Sequence, residues 1–372
     1  MSYVKSYYIA LLFICFSVVG CGSNDTNDDF VIAAVIPKTG PIAYLGEQEL
    51  AGLELAAEDI NATGGILGRK VLVKWEDTGG DVAKAVTAAN KLLFDGKVDM
   101  LFVTTTGAVK AVAPIAASNK VPMFAMSSDI GITELNDYIF RMYMNFGDEQ
   151  KVIANYIKNK NLKNIVLLRP EDEAFLNSQK ELVANLNSEG NSLLAYETFS
   201  KQDKNYRVQI EKLLGNKPDG LILLGYGPDY PALLDQIREN PNSVGVSIIG
   251  GYAMISRAAQ QNGTSFFEDV PFVSFEAIKS SGLTDFTNRV GQKLNRPAGQ
   301  FLDYISAYDA LMFVGSISNS GDNKESLISL INRADKYEGV GGVYRFNKSR
   351  DASMPLAIAK YFGSDAQIVW QP

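Results

Sequence analysis

The chain has 372 residues, of which 46% are hydrophobic and 21% are charged, proportions that are ordinary for a soluble globular protein. This length predicts two domains, each large enough to bury a core of its own. The net charge of −7 argues against a nucleic-acid-binding surface, which would show a basic bias, and leaves the charge of a small ligand open.

Histidine is absent from the chain, and both cysteines lie within its first 21 residues. The remainder therefore cannot use Ser-His-Asp or Cys-His catalysis or a metal site built on histidine or cysteine. It also contains no SxxK, GxGxxG or GxxxxGK[ST] motif, so neither a Ser-Lys nucleophile nor a bound nucleotide is indicated. A hydrolase using only carboxylates stays open at Glu171, Asp172 and Glu173, although such a run also fits a solvated turn. We predict a protein that is not an enzyme and that needs no cofactor and no metal.

The N-terminal segment has the pattern of a lipoprotein leader. Lys5 supplies the positive charge, Ile9–Val19 the apolar core, and a Val-Val-Gly-Cys sequence ends at Cys21. Cleavage would remove residues 1–20 as the signal peptide and leave residues 21–29 as a lipidated cysteine with a short polar linker. A plain signal peptide or a membrane span is the alternative, but the apolar run is short for a span of about 20 residues. We expect the protein in the cell envelope, lipid-anchored to a membrane and facing the periplasm or the cell exterior.

The first predicted strand, turn and helix lie between Phe30 and Lys70. Val31–Ile36 is a continuous apolar run, which is typical of a parallel strand buried on both faces. A turn rich in proline and glycine follows, and the next helix has one apolar face, formed by Leu50, Leu53, Ala57 and Ile60. Ligands of open α/β sheets bind where strands end, so the loop at 38–46 is a candidate wall of a site.

The run TGPIAYLGEQELAGLELAAEDINATGGILGRK at residues 39–70 resembles the opening of the periplasmic substrate-binding proteins typified by the leucine/isoleucine/valine-binding protein. Those proteins hand small solutes to ATP-driven importers. The segments GLILLGYGPDYPALLDQIRE and FLDYISAYDALMFVGSIS resemble the same family. The resemblance implies an α/β fold with two doubly wound, Rossmann-like lobes (the type I periplasmic binding fold, or Venus flytrap) joined by a three-crossing hinge. It implies lobe 1 at 30–145 plus 276–341 and lobe 2 at 146–275 plus 342–372.

Hydroxyl side chains follow two predicted strands of the first half. Val98–Val103 runs into three threonines, and Val121–Met126 runs into two serines and an aspartate. Hydroxyls at a helix N-terminus can bind a carboxylate together with the backbone amides, although one threonine there could merely cap the helix. The resemblance implies that these two ends together hold the carboxylate of the ligand, with Thr106, Ser127 and Asp129 aligned with the residues that the family uses there. The ligand contacts expected from the first lobe are Thr105, Thr106, Ser127 and Asp129, and Ser128 is a further candidate. Pro114 predicts a break or a late start in the helix that follows the threonines.

The resemblance also assigns aromatic side chains to the site. Phe175 would close over the ligand, and Tyr226 would orient it with a flat ring and one hydroxyl. Tyr226 could instead be a half-buried packing residue. Tyr44 is a candidate wall of the site, although the aromatic residue of the family aligns one position later, with Leu45.

Two departures from the family concern the ammonium group of an amino-acid ligand. Tyr252 stands where amino-acid binders of the family carry a glutamate, and Asp129 stands where they carry a threonine. A buried ammonium needs an opposite charge or dense hydrogen bonding. Either Asp129 takes that role from the other lobe, or the ligand is not an ordinary α-amino acid; Asp129 could also be an exposed helix cap.

We therefore expect the extracytoplasmic substrate-binding lipoprotein of an ABC importer, which binds a small amino acid, amide or carboxylate between its lobes and closes over it. Its partners would be that solute, the permease subunits of the importer and, through the lipid, the membrane. No nucleic-acid partner is expected. An alternative keeps the fold but makes the protein a ligand-sensing or interaction lipoprotein that regulates a membrane or cell-wall partner.

Overall fold

The computed structural model describes residues 29–200, 202–256, 263–275, 281–296, 302–320, 326–363 and 365–372. Its helices are α1 (Ala43–Ala62), α2 (Val82–Phe94), α3 (Thr106–Asn119), α4 (Phe146–Asn159), α5 (Glu173–Ser188), α6 (Arg207–Leu214), α7 (Tyr230–Glu239), α8 (Ser281–Lys293), α9 (Leu302–Ser320) and α10 (Leu327–Asn332). Its strands are β1 (Phe30–Ile36), β2 (Val71–Asp77), β3 (Met100–Thr104), β4 (Met123–Met126), β5 (Ile139–Phe140), β6 (Asn164–Pro170), β7 (Ser192–Phe199), β8 (Gly220–Leu223), β9 (Ser247–Gly250), β10 (Phe272–Phe275), β11 (Lys336–Gly339), β12 (Gly342–Phe346), β13 (Ala352–Ser353), β14 (Leu356–Phe362) and β15 (Asp365–Trp370). The predicted leader and the predicted lipidation site at Cys21 lie outside the described residues.

The first sheet is parallel throughout and has the strand order β2-β1-β3-β4-β5. Alternate residues of β1 face two different cores. Ile32 and Ala34 pack on the side of α1, whereas Ala33 and Val35 pack on the side of α2 and α3. This burial on both faces explains the continuous apolar run of β1. Late in the chain, α8 and α9 return to pack beside α1, and these elements together form the first lobe.

The second sheet has the strand order β15-β14-β10-β9-β8-β6-β7. Its strands from β10 to β7 are parallel, and β14 and β15 are antiparallel additions at one edge. The centre of β6, Ile165–Leu168, is fully buried. Helices α4, α5 and α6 pack with this sheet, α7 packs beside α6, and these elements together form the second lobe. The predicted fold class, two doubly wound α/β lobes, is confirmed.

The chain passes between the two lobes after β5, after β10 and before β14. A small sheet, β11-β12-β13, accompanies the third passage. Arg141, directly after β5, pairs through its backbone with Asp351 in this third passage, so two of the three connections are hydrogen-bonded to each other.

The predicted break at Pro114 is wrong, because α3 continues through this residue. A proline in a helix interior leaves the carbonyl four residues earlier without its usual donor. Pro114 lies on the exposed side of α3, where water can supply the missing hydrogen bond. Among the described helices, none has the length and apolar character needed to cross a membrane.

Candidate functional site

A cavity of about 400 Å³ lies between the two lobes. The first lobe contributes the segments that follow β1, β2, β3 and β4, and the second lobe those that follow β6, β8 and β9. The carboxyl ends of parallel strands are where ligands bind in open α/β sheets, and a mostly apolar pocket with a few polar groups is the usual form of such a site. Among the described residues, no cluster of side chains could hold a metal ion.

Eight of the nine residues predicted for the site line this cavity, and they come from both lobes. They are Tyr44, Thr105, Thr106, Ser127, Ser128, Phe175, Tyr226 and Tyr252.

Asp129 is the exception and requires a correction. Its carboxylate, 2% exposed, lies 2.9 Å from Lys110 Nζ and accepts a hydrogen bond of 3.0 Å from Asn177 Nδ2. A buried charge is stable only with such partners, and here they hold it outside the cavity wall. Asp129 is therefore neither an exposed helix cap nor placed to meet the ammonium of a ligand.

The first turn of α3 forms one end of the cavity. Thr105 caps this helix, and its Oγ1 accepts from the Ala108 amide at 3.4 Å. Its φ of +80° is rare for a β-branched residue, so the surrounding structure maintains local backbone strain at this position. Thr106 Oγ1 and Ser127 Oγ lie 2.8 Å apart at the same wall. The Thr105 hydroxyl thus caps the helix, and the hydroxyls of Thr106 and Ser127 lie beside the amides of its first turn. Hydroxyls and amides in this arrangement can bind a carboxylate.

Aromatic rings form the wall on the side of the second lobe. The ring of Phe175 lies 5.0 Å from that of Phe146 and 5.4 Å from that of Tyr226. The Tyr226 hydroxyl donates to Asp172 Oδ2 at 2.5 Å, and the other oxygen of Asp172 caps α5. Burial, and then the charge of Asp172, raise the pKa of Tyr226, so its hydroxyl stays protonated. Asp172 belongs to the acidic run that also fitted a solvated turn; the structure makes it a helix cap at the cavity wall.

Two buried acids at the cavity wall were missed by the sequence analysis. Glu49 is 1% exposed and accepts from Thr104 Oγ1 at 2.5 Å; Asp303 is 6% exposed and accepts from the Tyr143 hydroxyl at 2.9 Å. Burial raises the pKa of Asp303 to about 6. Burial, and then the charge of Asp303, raise the pKa of Glu49. The cavity therefore has an acidic region as well as a hydroxyl-lined end.

A sequence signal for these acids does exist. Glu49 lies four residues before Leu53 and seven before Ala56, so all three share the buried face of α1. Asp303 opens the apolar helix α9. An acid on a buried helical face is rare unless it has a partner. The resemblance pointed instead to the positions of Tyr252 and Asp129, so neither Glu49 nor Asp303 was predicted.

Side chains of the two lobes contact each other across the cleft. Lys110 of α3 lies 3.1 Å from Glu173 Oε1 of α5 as well as beside Asp129. The Ser128 and Tyr252 hydroxyls, from opposite lobes, lie 3.4 Å apart. These contacts require the lobes to be close together, so the structure is a closed arrangement.

Glu149, a buried acid of α4, positions Tyr252. Its Oε1 accepts from the Tyr252 amide at 2.8 Å, and its Oε2 accepts from Gln150 Nε2 at 3.0 Å. Burial raises the pKa of Glu149 from its ordinary 4.5 to about 7. The folded protein thus holds this proton more tightly than the unfolded chain, which makes the contribution of Glu149 to stability dependent on pH.

We expect the stabilisation from Glu149 to be complete below about pH 4.5 and to be lost as the pH rises through about 7. Between pH 5.5 and pH 8.5, the free energy of unfolding should therefore fall by about 2 kcal/mol less in the Glu149→Gln protein than in the wild type. The new amide can be accommodated, because Gln150 Oε1 has no partner among the described residues and can accept from it after an amide rotation. Urea unfolding of both proteins at the two pH values measures the difference; identical pH dependence would contradict the assignment.

The family model for periplasmic binding proteins matches residues 30–366 of the chain. Leu/Ile/Val-binding protein homolog 3 of Brucella melitensis is 25% identical over 335 residues, which cover 88% of this chain and 89% of the relative. Leu/Ile/Val-binding protein BraC3 of Rhizobium johnstonii is 28% identical over 288 residues, which cover 76% of this chain and 77% of the relative.

Solved structures share the fold at low sequence identity. The branched-chain amino acid transporter substrate binding protein LivJ from Streptococcus pneumoniae, in complex with isoleucine, has a TM-score of 0.77 at 23% identity and covers 92% of this chain and 99% of its own. A solute binding protein of an ABC transporter from Rhodopseudomonas palustris, in complex with 3,4-dihydroxybenzoic acid, has a TM-score of 0.81 at 18% identity, with coverage of 92% and 96%. The resemblance found in the sequence is confirmed: the chain belongs to the periplasmic binding protein family and has the type I fold of the leucine/isoleucine/valine-binding proteins.

Proposed function

We propose that this chain is the extracytoplasmic substrate-binding lipoprotein of an ABC importer. We propose that it binds, between its lobes, a small carboxylate that resembles an amino acid or carries an amide group. The observation that carries this proposal is the cavity between the lobes, with the first turn of α3 and its hydroxyls on one side and aromatic rings of the second lobe on the other. Such a cavity offers hydrogen-bond donors to an anion and apolar surface to the rest of a small molecule.

The relatives support this solute class. Some of them are leucine/isoleucine/valine-binding proteins, one solved structure holds isoleucine, and another holds 3,4-dihydroxybenzoic acid. All of these molecules combine a carboxylate with an apolar or aromatic body, which is the combination that the two walls of the cavity favour.

In the proposed mechanism, the first lobe captures the carboxylate with Thr105, Thr106, Ser127 and Ser128. Closure then brings Phe175, Tyr226 and Tyr252 of the second lobe over the ligand. Excluding water in this way strengthens each hydrogen bond, and a ligand that contacts both lobes shifts the protein towards the closed arrangement.

The remaining parts of the proposal concern the rest of the chain. The lobes would divide at 30–145 plus 276–341 and 146–275 plus 342–372. The lipid on Cys21 and the linker at 21–29 would hold the lobes at the membrane, facing the periplasm or the cell exterior, beside the permease subunits. We assign no catalytic residue.

Thermal unfolding with a ligand panel tests the solute-binding role. The chain from Gly22 onward is unfolded and refolded to remove ligand carried over from the cell, then mixed with amino acids, amides, aliphatic and aromatic carboxylates, and polyols. A ligand at about 100 times its dissociation constant adds about 2.7 kcal/mol, which raises the melting temperature by several degrees. We expect a rise with carboxylates and none with polyols. No rise with any compound would contradict the proposal and favour the interaction role.

A further inference from the structure

The acidic region of the cavity is not used by the proposed carboxylate site. Glu49 and Asp303 line the cavity, and both are more than nine-tenths buried. One oxygen of each carboxylate accepts a hydroxyl, from Thr104 and Tyr143 respectively. Asp303 also accepts a hydrogen bond from its own backbone amide. Among the described residues, neither acid has a cationic partner or a second side-chain partner, so both are available to a ligand in the cavity.

This acidic region and the carboxylate site lie on opposite faces of the first sheet. Glu49 and Asp303 belong to α1 and α9, which pack together on one face, whereas the carboxylate site is built on α3, which packs with α2 on the other. Hydroxyls of the cavity wall connect the acidic region to the carboxylate site across the end of the sheet. The Ser128 hydroxyl lies 3.4 Å from that of Tyr252, which lies 3.4 Å from that of Tyr143, and the Tyr143 hydroxyl lies 2.9 Å from Asp303 Oδ1.

An α-ammonium is attached to the carbon next to its carboxylate and so stays beside α3 when the carboxylate binds there. We infer that the natural ligand carries a cationic group several bonds away from its carboxylate, and that Asp303 and Glu49 bind this group. Both ω-amino acids and α-amino acids with a cationic side chain have this chemistry. The inference rests on the proposed solute-binding function and narrows its substrate class.

A cation suits this region better than a neutral donor. Two acids buried close together without a positive partner are electrostatically costly, and a cation of the ligand offsets that cost. An ammonium group also supplies three N–H donors, more than enough for one hydrogen bond to each acid. Burial raises the pKa of both acids, the charge of Asp303 raises that of Glu49 further, and a bound cation would lower both.

Isothermal titration of the refolded chain with two matched pairs of compounds tests the inference. 5-Aminopentanoate and hexanoate differ by an ammonium in place of a methyl group, and L-ornithine and L-norleucine differ in the same way. We expect the cationic member of at least one pair to bind at least tenfold more tightly than its partner, and the pair that shows the preference separates ω-amino acids from α-amino acids. If hexanoate, norleucine or 3,4-dihydroxybenzoate binds as tightly as the best cationic compound, the inference is overturned while the proposed function stands. If no carboxylate in these pairs or in the thermal panel binds, both are overturned.

Asp303→Asn and a matched control locate the effect. Asp303→Asn should weaken the preferred cationic ligand at least tenfold and leave its methyl counterpart nearly unchanged, while Tyr143 can still donate to the new amide oxygen. Asp309 is the control, because it also lies buried on α9 and accepts from a tyrosine, Tyr344, at 2.9 Å, but outside the cavity. Asp309→Asn should alter stability without changing the preference. The assignment would be overturned if both variants lost the preference for the cationic ligand, or if Asp303→Asn retained it.

Discussion

Replacing Arg141 by methionine is expected to lower the free energy of unfolding by about 3–5 kcal/mol. Arg141 is 1% exposed and binds Asp351 through two hydrogen bonds, of 2.8 and 2.5 Å. Its remaining donors hold the carbonyl oxygens of Ser127 and Asp129, at 2.9 and 2.6 Å. The methionine would leave a carboxylate and two carbonyls without their partner, and a buried group without its partner costs more than the pair contributes.

Urea unfolding of the Arg141→Met protein measures this loss, and Arg207→Met is the matched control. Arg207 also forms an ion pair, with Glu239 at 2.5 Å, but both of these side chains are more than half exposed. Exposed pairs contribute at most about 1 kcal/mol, so the control should unfold almost as the wild type does. Similar losses in the two variants would contradict the role assigned to Arg141. Adding Asp351→Leu to Arg141→Met should recover part of the loss, because it removes the unpaired charge.

The same interactions couple the hinge to the site. Asp351 lies in the third passage between the lobes, and Ser127 lines the cavity. Arg141 bonds to both, so it fixes the loop that carries Ser127 relative to the hinge. The Arg141→Met protein should therefore also bind its ligand more weakly, even under conditions in which it is fully folded.

The fold could be predicted from the sequence because its signals are local and repeated. A strand buried on both faces must be apolar at every position, and β1, β3 and the centre of β6 show this directly. Helices such as α1 show the 3.6-residue spacing of one buried face. Hydroxyl groups after β3 and β4 had to lie close together because neighbouring parallel strands end at the same edge of a sheet. The resemblance had assigned Thr106 and Ser127 to one carboxylate site, and their hydroxyls lie 2.8 Å apart in the structure.

Pairings between distant residues could not be predicted in the same way. The sequence shows that Asp129 is an acid at a strand end, but not that Lys110 of α3 and Asn177 of the other lobe bind it. Glu49 and Asp303 come from opposite ends of the chain and meet only because α9 returns to pack on α1. For Pro114, the local rule gave the wrong result because the exposed side of a helix tolerates a missing hydrogen bond.

Replacing Tyr226 by alanine is expected to weaken binding of the preferred ligand by at least about 30-fold, the effect of losing a residue that dominates an interface. Its ring lines the cavity at the end of β8, where the proposed mechanism places it against the ligand. The empty protein should melt at nearly the wild-type temperature, because Phe175 keeps its contact with Phe146 at 5.0 Å and Asp172 still caps α5. Titration calorimetry and thermal unfolding measure the two effects separately.

Tyr226→Phe separates the ring from the hydroxyl. The hydroxyl already donates its hydrogen to Asp172, so it cannot donate the same hydrogen to a ligand. The ring is therefore expected to supply most of the binding energy, and the phenylalanine variant should bind within a few-fold of the wild type. Tyr196, which is 52% exposed and remote from the cavity, provides the control: Tyr196→Ala should leave affinity unchanged. Undiminished binding by Tyr226→Ala would show that the ligand lies elsewhere, whereas an equal loss in both Tyr226 variants would show that the ligand accepts the hydroxyl hydrogen in place of Asp172.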